Sequence, residues 1–495
     1  MRPSRLFVIG LIAAVFATVL AGCPSPNPDF CCVTAETCAA AGLGDERRPC
    51  EVGQACKSYG CVAAECSSSA DCAAPEAPTC LHGLCVAGCA VDDDCAGIAG
   101  TPRCDASEAT CVGCLSNDQC PADQAICDAD TRSCRGCTAD DQCASGVCIE
   151  ATGICAADDA IIYVMEAGVD AGTCPRSAPC QTMSFAMGLT SPIRNVIRVL
   201  GSYFYLGNST VSLSNSVVID GSNTTLTSGS LPAIFVYGLA IIEGVRLSST
   251  DTFAPLLKVS SGGNLTLVRT TVDTGQIEVS AGGALDGVDV KLRNSNLECK
   301  SGGILSIRRS HLEQGHIDSS CKLVLSASRL EPAPGLLPTT RLMGSMQVIE
   351  NNIFIGNNAE AALLFVFGAS GSKFRFNTII NTSSIIGTAS AIFCEDGVDV
   401  SSNIIAYNST APISCVARHS LFDSAGAQEV HRGVGNVSAD ITTFFQDRQA
   451  GDLHLSSNSP ALGVGEPGLL TEDLDGNARP TPVGSMPDVG AYEAP

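Results

Sequence analysis

Five ionisable residues at regular spacing are the strongest candidates for chemistry in this chain. Arg269, Asp289 and Arg309 follow one another at a constant 20-residue step, and Lys291 and His311 are separated by the same step. If each step is one turn of a repeating fold, the five side chains stand in two adjacent columns. Lys291 or Arg309 could then act as a base beside a carboxylate. Alternating charges that stabilise the stacking of turns on a solvated face explain the pattern at least as well.

A repeat of short strands must position these columns. The glycine pairs Gly262-Gly263, Gly282-Gly283 and Gly302-Gly303 recur at 20-residue steps, and alternating apolar residues such as Leu265 and Leu267 follow them. A fixed period near 20 with short strands and glycine turns is typical of a coil that stacks on itself. The sequence therefore predicts a mainly β fold, a parallel β-helix. The alternative, an all-β sandwich, needs hairpin turns for which Asn-Gly and Asp-Gly pairs are scarce here.

Asparagines mark a second set of turns. Asn352, Asn377 and Asn403 each precede an apolar strand and recur at nearly equal intervals, slightly longer than those of the glycine pairs. Stacked asparagine side chains can satisfy one another and the turn backbone, so we expect a buried ladder at these positions.

The composition excludes some functions. The formal net charge is −23 at pH 7, whereas binding to nucleic acid requires a basic surface. Apolar residues make up 45% of the 495 residues, but only 5% are aromatic and tryptophan is absent. We therefore expect an aliphatic core, no nucleic-acid partner and few aromatic platforms for stacking sugars.

The first 22 residues are predicted to be an export signal. Arg2 and Arg5 precede an uncharged apolar run, Leu6 to Leu20, which is shorter than the roughly 20 residues that span a bilayer. The run ends in Leu20-Ala21-Gly22-Cys23, which resembles the lipobox of bacterial lipoproteins. That resemblance implies cleavage before Cys23, lipidation of its thiol and a membrane anchor. Because no aspartate follows the cysteine, it also implies the outer membrane. In the alternative, an ordinary signal peptide is cleaved and Cys23 is a thiol or a disulfide partner.

Twenty-two cysteines lie between Cys31 and Cys155, and from Cys66 they form four units that each begin C-x5-C. The units are Cys66, Cys72, Cys80, Cys85; Cys89, Cys95, Cys104, Cys111; Cys114, Cys120, Cys127, Cys134; and Cys137, Cys143, Cys148, Cys155. With few aliphatic residues between cysteines, two disulfides per unit must hold the fold in an oxidising compartment. Zinc is the alternative, because C-x-x-C pairs occur, although they straddle the unit boundaries.

Six later cysteines are further disulfide candidates. Cys174 and Cys180 would close a short loop where the repeat begins, whereas the pairs Cys299 with Cys321 and Cys394 with Cys415 are each separated by close to one repeat period. Each of these two pairs could therefore join neighbouring turns. With a local 20-residue step, however, Cys321 would be offset by two positions from Cys299, and such an offset works against disulfide geometry.

Both ends of the repeating region resemble known modules. Ile162-Tyr163-Val164, Gly172-Thr173 and Pro179 to Met183 resemble the entry segment of right-handed, pectate-lyase-like β-helix proteins. The final segment resembles the closing module called choice-of-anchor Q, through Asp452 to Leu455, Ser459 to Ala461, Asp473 to Pro480 and Asp488 to Glu493. It departs from that module at Gly463, where an acid is usual. Asp473 and Asp475 either stabilise a structural turn or bind calcium, and both interpretations stay open here. We expect no other cofactor.

The chain thus divides into a signal peptide (1–22), a proline-rich tether (23–30), a cysteine-rich stalk (31–160), a β-helix (161–440) and a capping module (441–495). Enzymes of the β-helix class cleave acidic polysaccharides with an arginine or lysine base, or hydrolyse glycosides with paired acids, but the hydrolase signatures do not occur here in order. Two functions remain open. One is a surface lipoprotein that binds a glycan or a protein, and the other is an anchored polysaccharide lyase or glycosidase.

Overall fold

The structure is a computed structural model. It describes residues 100–494 with gaps at 207–209, 230–232, 250–254, 332–339, 345, 357–363, 367–370, 382–391, 395–396, 407–412, 414 and 425–432, together with short segments between 54 and 95. Cys23, the predicted signal peptide and the predicted tether lie outside the described residues. The chain forms two compact units, 1–136 and 137–495, so the fourth cysteine unit belongs to the same compact unit as the repeating region.

The cysteine-rich region is built from short antiparallel hairpins, as small cystine modules with little apolar core require. The hairpins pair Gln54–Lys57 with Gly60–Ala63, Thr79–Leu81 with Leu84–Val86, Arg103–Asp105 with Thr110–Val112, Ile126–Cys127 with Cys134–Arg135, and Cys148–Ile149 with Ile154–Cys155. Short 3-10 helices cover Asp92–Cys95, Asn117–Gln119, Ala122–Gln124, Asp140–Gln142 and Asp158–Ala160. In the last three units the first cysteine pairs with the third and the second with the fourth.

A parallel β-helix follows, as the sequence predicted. Its strands form three columns, and each strand pairs in parallel with the equivalent strand of the next turn. The right-handed sense expected from the sequence is the one that crossovers between parallel strands almost always adopt. One α-helix, Met183–Gly188, lies near the start, where Thr182 accepts a hydrogen bond from the Phe185 N–H at 3.2 Å and so caps its N-terminus.

The first sheet contains Ile161–Val164, Val196–Val199, the starts of Val217–Ser228 and Leu239–Ser249, Asn264–Val268, Ala284–Val288, Ile304–Arg308, Lys322–Ser326, Val348–Glu350, Lys373–Arg375, Asp399–Ser401 and Ala417–Arg418. The second contains Tyr203–Tyr205, the ends of the two long strands, the start of Thr271–Val279, Lys291–Arg293, His311–Glu313, Arg329–Glu331, Ile353–Gly356, Thr378–Asn381, Ile404–Ala406, Leu421–Asp423 and Val437–Ala439. The third contains Val211–Leu213, Ile234–Val236, Pro255–Val259, the end of Thr271–Val279, Ser295–Cys299, His316–Ser319, Thr340–Leu342, Leu364–Val366 and Ile392–Cys394.

The core is a set of stacked aliphatic columns inside the coil. On the second sheet the inward column is Leu226, Leu247, Val272, Leu292, Leu312, Leu330, Phe354, Ile379, Ile405 and Phe422, and all of them are buried. Successive members are about 4.8 Å apart, the spacing of paired strands. Burying each large side chain stabilises the fold by roughly 1.5–3 kcal/mol before the cost of ordering the chain.

The predicted asparagine ladder is present where the first sheet turns into the second. The Asn352 Nδ2 donates to Asn377 Oδ1 at 3.0 Å, and the Asn377 Nδ2 donates to Asn403 Oδ1 at 3.1 Å. All three residues are fully buried. Because each amide also bonds the turn backbone, the ladder satisfies groups that the sharp corner would otherwise leave unpaired.

The structure joins Cys174 to Cys180 and Cys299 to Cys321 by disulfides. Cys299 stands opposite Ser319 in the register, but Ile304 pairs with Lys322, so this turn is shorter than the one before it. The shorter turn brings the Cys321 Cα to 5.7 Å from that of Cys299, within disulfide range in spite of the offset. Cys415 is disulfide-bonded, and the side chain of Cys394 lies outside the described residues.

The C-terminal module contains the 3-10 helix Ile441–Thr443 and a hairpin of Phe445–Asp447 with Asp452–Leu455. It packs against the outer face of the second sheet, where Ile353, Ile380, Ile404 and Leu421 are buried beneath it. Among the described residues, no helix has the length and apolarity of a membrane span.

Candidate functional site

The column of Arg269, Asp289 and Arg309 lies at the corner between the first and second sheets. These three residues have φ of 44°, 55° and 48°, in the left-handed region, and each N–H donates to a carbonyl of the next turn. The corner is sharp because only two residues separate the two strands on each turn. They are the column residue (269, 289 or 309) and the residue after it, which is equivalent to the asparagine ladder positions of later turns. Their side chains therefore project outward and stack as the 20-residue step predicts.

Asp289 and Arg309 form a bidentate ion pair. The Arg309 Nε donates to Asp289 Oδ1 and its Nη2 to Oδ2, both at 2.9 Å. This fork geometry is the strongest form of an arginine–carboxylate contact. Both side chains are still exposed, Arg309 by 60% and Asp289 by 39%, so the pair contributes more to orientation than to stability.

The third member of the column, Arg269, pairs outside the β-helix. Its guanidinium contacts Glu150 of the fourth cysteine unit, far away in sequence. Glu150 has no place in the 20-residue pattern, so sequence reasoning missed it. The contact exists because the fourth cysteine unit packs on the outer face of the first sheet, where Val147 and Ala156 contact Ile161, Tyr163 and the residues stacked on them.

The seam between that unit and the first sheet forms a groove, which we call the arginine groove. It has a volume of about 250 Å³ and is lined by Cys137, Thr138, Glu150, Ala151, Thr266, Val268, Arg269, Asp286, Val288, Asp289, Arg308 and Arg309. Arg308 and Asp286, which sequence analysis also missed, form an ion pair at 2.7 Å. Their outward positions on adjacent turns would have revealed them. Three arginines and three carboxylates thus alternate along the groove.

Lys291 and His311 lie on the second sheet instead, where the register pairs them on neighbouring turns. The Lys291 Nζ is 3.0 Å from Glu313 Oε1. The His311 ring lies between Glu313 and Glu331, with nitrogen–oxygen distances of 3.7 and 3.5 Å. The structure therefore separates the five predicted residues into the arginine groove and a mixed-charge strip on the second sheet.

The electrostatics of the two places differ. Hydrogen bonding to Asp289 raises the pKa of Arg309, which makes it a poorer proton acceptor. Burial lowers the pKa of His311 below its ordinary value of 6.5 in spite of the two neighbouring carboxylates, so the ring is neutral at pH 7. A neutral imidazole has the charge state that a general base needs.

The two calcium candidates have different surroundings. Asp473 is buried, and its Oδ1 accepts hydrogen bonds from the N–H groups of Asp475 and Asn477 at 3.0 and 2.8 Å. Its Oδ2 accepts one from the Glu493 N–H at 3.0 Å. Asp475 is exposed and contacts His454 Nε2 at 2.7 Å. Both carboxylate oxygens of Asp473 therefore accept hydrogen bonds that stabilise a turn. Calcium binding by Asp473 and Asp475 stays a prediction.

Three groups of cysteine sulfurs lie within 4.8 Å of one another and are the metal-like clusters among the described residues. They are Cys89, Cys95 and Cys111; Cys114, Cys120 and Cys127; and Cys137, Cys143 and Cys155. Each of these sulfurs belongs to a disulfide. Because zinc binds thiolates, the disulfide interpretation accounts for these clusters.

Comparisons with known proteins find likenesses among solved structures. No protein-family model matches the chain, and no curated protein does. Among solved structures, the crystal structure of pectate lyase Pel9A is similar at 13% identity with a TM-score of 0.36, over 68% of this chain and all of that one. At that TM-score the likeness carries no residue or activity across. The parallel β-helix follows from the strand pairing itself.

Proposed function

We propose that this chain is a lipid-anchored protein of the bacterial outer membrane whose β-helix binds an extracellular glycan or protein. The lipobox-like Leu20 to Cys23 and the cystine-rich segment after it support an exported, anchored chain. In this proposal the β-helix supplies a rigid ligand surface, and the arginine groove is its binding site.

The observation that carries the binding function is the pairing of cations in the arginine groove. Arg269, Arg308 and Arg309 each contact a carboxylate, so none is poised as a free base. Hydrogen-bond donors and acceptors alternate along the rigid strands of the groove, and they match the hydroxyls and carboxylates of a polar ligand. Such a ligand can replace one partner of each exposed arginine–carboxylate pair and bond to the other. Guanidinium groups that are already oriented by a partner lose little freedom when they bind a carboxylate.

The test is a glycan array probed with the purified full chain and with the R309Q variant. We expect R309Q to bind a retained acidic glycan about tenfold more weakly, because one charge-assisted contact contributes about 1.5–3 kcal/mol. R341Q is the matched control, since Arg341 is an exposed arginine that lies near Asp318 on the third sheet. If R309Q and R341Q bind alike, or the array retains nothing, the groove is not a glycan site.

A polysaccharide lyase is the second candidate, and His311 favours it. A neutral imidazole beside Lys291, Glu313 and Glu331 could remove the proton next to a sugar carboxylate while the glycosidic C–O bond breaks. The departing oxygen then takes a proton from water, which leaves an unsaturated sugar on one side and a free hydroxyl on the other. Absorbance of that product, present with the wild type and absent with H311A, would establish the enzyme. If acidic polysaccharides yield no such product, the binding function stands alone.

The anchor has its own test. Growth with a labelled fatty acid should mark the wild-type chain and leave the Cys23→Ala variant unmarked, because the thiol that carries the lipid is gone. An unmarked wild type would refute the anchor and leave the ordinary signal peptide.

A further inference from the structure

A second cavity lies beside the arginine groove, between the fourth cysteine unit and the first turns of the first sheet. Three outward-facing residues stack there on consecutive turns, since Arg198 pairs with Asp220 and Asp220 with Glu243 in the register. The cavity has a volume of about 270 Å³. We call it the acidic cavity. Its lining is Ala139, Asp140, Cys148, Glu150, Asp220, Ser222, Asn223, Glu243, Gly244 and Arg269.

Two carboxylates of the acidic cavity have a cationic partner in Arg198. The Arg198 Nη2 lies 2.6 Å from Asp140 Oδ2, and Nη1 contacts Asp220. Asp140 Oδ2 also accepts a hydrogen bond from the Ser222 hydroxyl at 3.0 Å. Arg198 thus joins the cysteine unit to the β-helix and is fully engaged in doing so.

Glu243 has no such partner. It is 2% exposed, and its Oε2 accepts one hydrogen bond from the Ala151 N–H at 3.2 Å. Its Oε1 is buried and has no hydrogen-bond partner among the described residues. Because a buried carboxylate oxygen without a partner is costly, such an atom in a residue that lines a polar cavity indicates a missing ligand. The other guanidinium at the cavity, Arg269, is taken by Glu150.

We propose that the acidic cavity binds a divalent cation of the calcium class, with Glu243 as the central ligand. Four carboxylates (Asp140, Glu150, Asp220, Glu243) surround the cavity against two guanidinium groups (Arg198, Arg269), so when all are ionised the excess is two negative charges. The lining also offers the hydroxyl of Ser222 and the amide oxygen of Asn223. Calcium takes six to eight oxygen ligands, including waters, and the volume leaves room for several waters. The ion ties the fourth cysteine unit to the β-helix.

The experiment is calorimetric titration of the purified, calcium-stripped full chain with calcium chloride at pH 7. We expect one site that depends on Glu243. E243Q should weaken binding at that site at least tenfold, because it removes the charge of the central carboxylate. E278Q is the matched control, since Glu278 faces outward on the third sheet and pairs with Lys258 at 2.9 Å; it should behave as the wild type.

A second measurement keeps the test independent of any loss of folding in the variant. Far-ultraviolet circular dichroism should show that E243Q is folded, and calcium should raise the thermal midpoint of the wild type by more than that of E243Q. The proposal is overturned if no calcium binds below about 1 mM, the weak limit of extracellular calcium modules. It is also overturned if E243Q binds calcium as the wild type does.

Discussion

Replacing Asn377 by alanine would test the asparagine ladder directly. The Asn377 side chain makes four hydrogen bonds inside the corner of the coil. Its Oδ1 accepts from the N–H and the Nδ2 of Asn352, both at 3.0 Å, and its Nδ2 donates to Ile349 O at 2.9 Å and to Asn403 Oδ1 at 3.1 Å. All these groups are buried, so Asn377→Ala leaves four polar atoms with one bond fewer.

The expected loss follows from that count. A typical internal hydrogen bond contributes about 1 kcal/mol net, so the four bonds together give a loss of roughly 4 kcal/mol. A water molecule that entered the vacated space would reduce the loss by restoring two or three contacts. The loss should also be local, because neighbouring turns in a solenoid contribute through their shared interface.

Two measurements apply to the full chain. Urea unfolding, followed by far-ultraviolet circular dichroism, gives the change in the free energy of unfolding. Amide hydrogen exchange shows whether protection is lost at Asn352 in particular, because its N–H donates to the Asn377 Oδ1 that the substitution removes. The matched control is Asn296→Ala, since Asn296 is an exposed asparagine on the third sheet; it should change stability by less than about 0.5 kcal/mol. If Asn377→Ala costs no more than this control, the ladder does not stabilise the corner.

Three further predictions concern single contacts. Partial burial alone would lower the pKa of His454, but its hydrogen bonds with carboxylates outweigh burial and raise that pKa. These bonds therefore stabilise the fold fully below pH 6.5, and the stabilisation is lost as the pH rises through the raised pKa. Over that pH range the thermal midpoint of the wild type should fall relative to that of H454Q, and parallel pH profiles would contradict this. Arg479→Met leaves the buried Glu493 without the cation that lies 3.5 Å away, and it should lower the free energy of unfolding by about 3–5 kcal/mol. Urea unfolding measures this loss, and the C-terminal module should also be cleaved earlier by a protease. Unchanged unfolding and cleavage would contradict the prediction. C299S/C321S opens a loop with a sequence separation of 22 and should cost about 3 kcal/mol in urea unfolding, and an unchanged midpoint would mean that the stacked turns already restrict the chain.

The stacked architecture could be predicted because its requirements repeat. The glycine pairs at 20-residue steps and the alternating Leu265 and Leu267 fix a strand length and a turn, and every following turn must match the one before. The same step placed Asp289 next to Arg309, since side chains at equivalent positions of adjacent turns become neighbours. The ladder residues could be predicted for the same reason.

Contacts that the added modules make with the β-helix could not be predicted. Arg269 contacts Glu150, and Glu243 accepts from Ala151, only because the fourth cysteine unit lies on the first sheet. No period links residues so far apart in the chain. A weaker signal did exist in the apolar pairs Ile379-Ile380 and Ile404-Ile405. Strands that are apolar on both faces need a cover outside as well as a core inside, and the C-terminal module is that cover.

The pairing pattern of the cystine units has an evolutionary consequence. All six disulfides of the last three units join cysteines within one unit. A gene duplication or deletion of one whole repeat therefore creates no orphan thiol and requires no new bond elsewhere. The two copies between Cys89 and Cys134 can therefore change in number without leaving an unpaired cysteine. The copy that begins at Cys137 differs, because its loss would also remove the partners that it supplies to Arg198, Glu243 and Arg269.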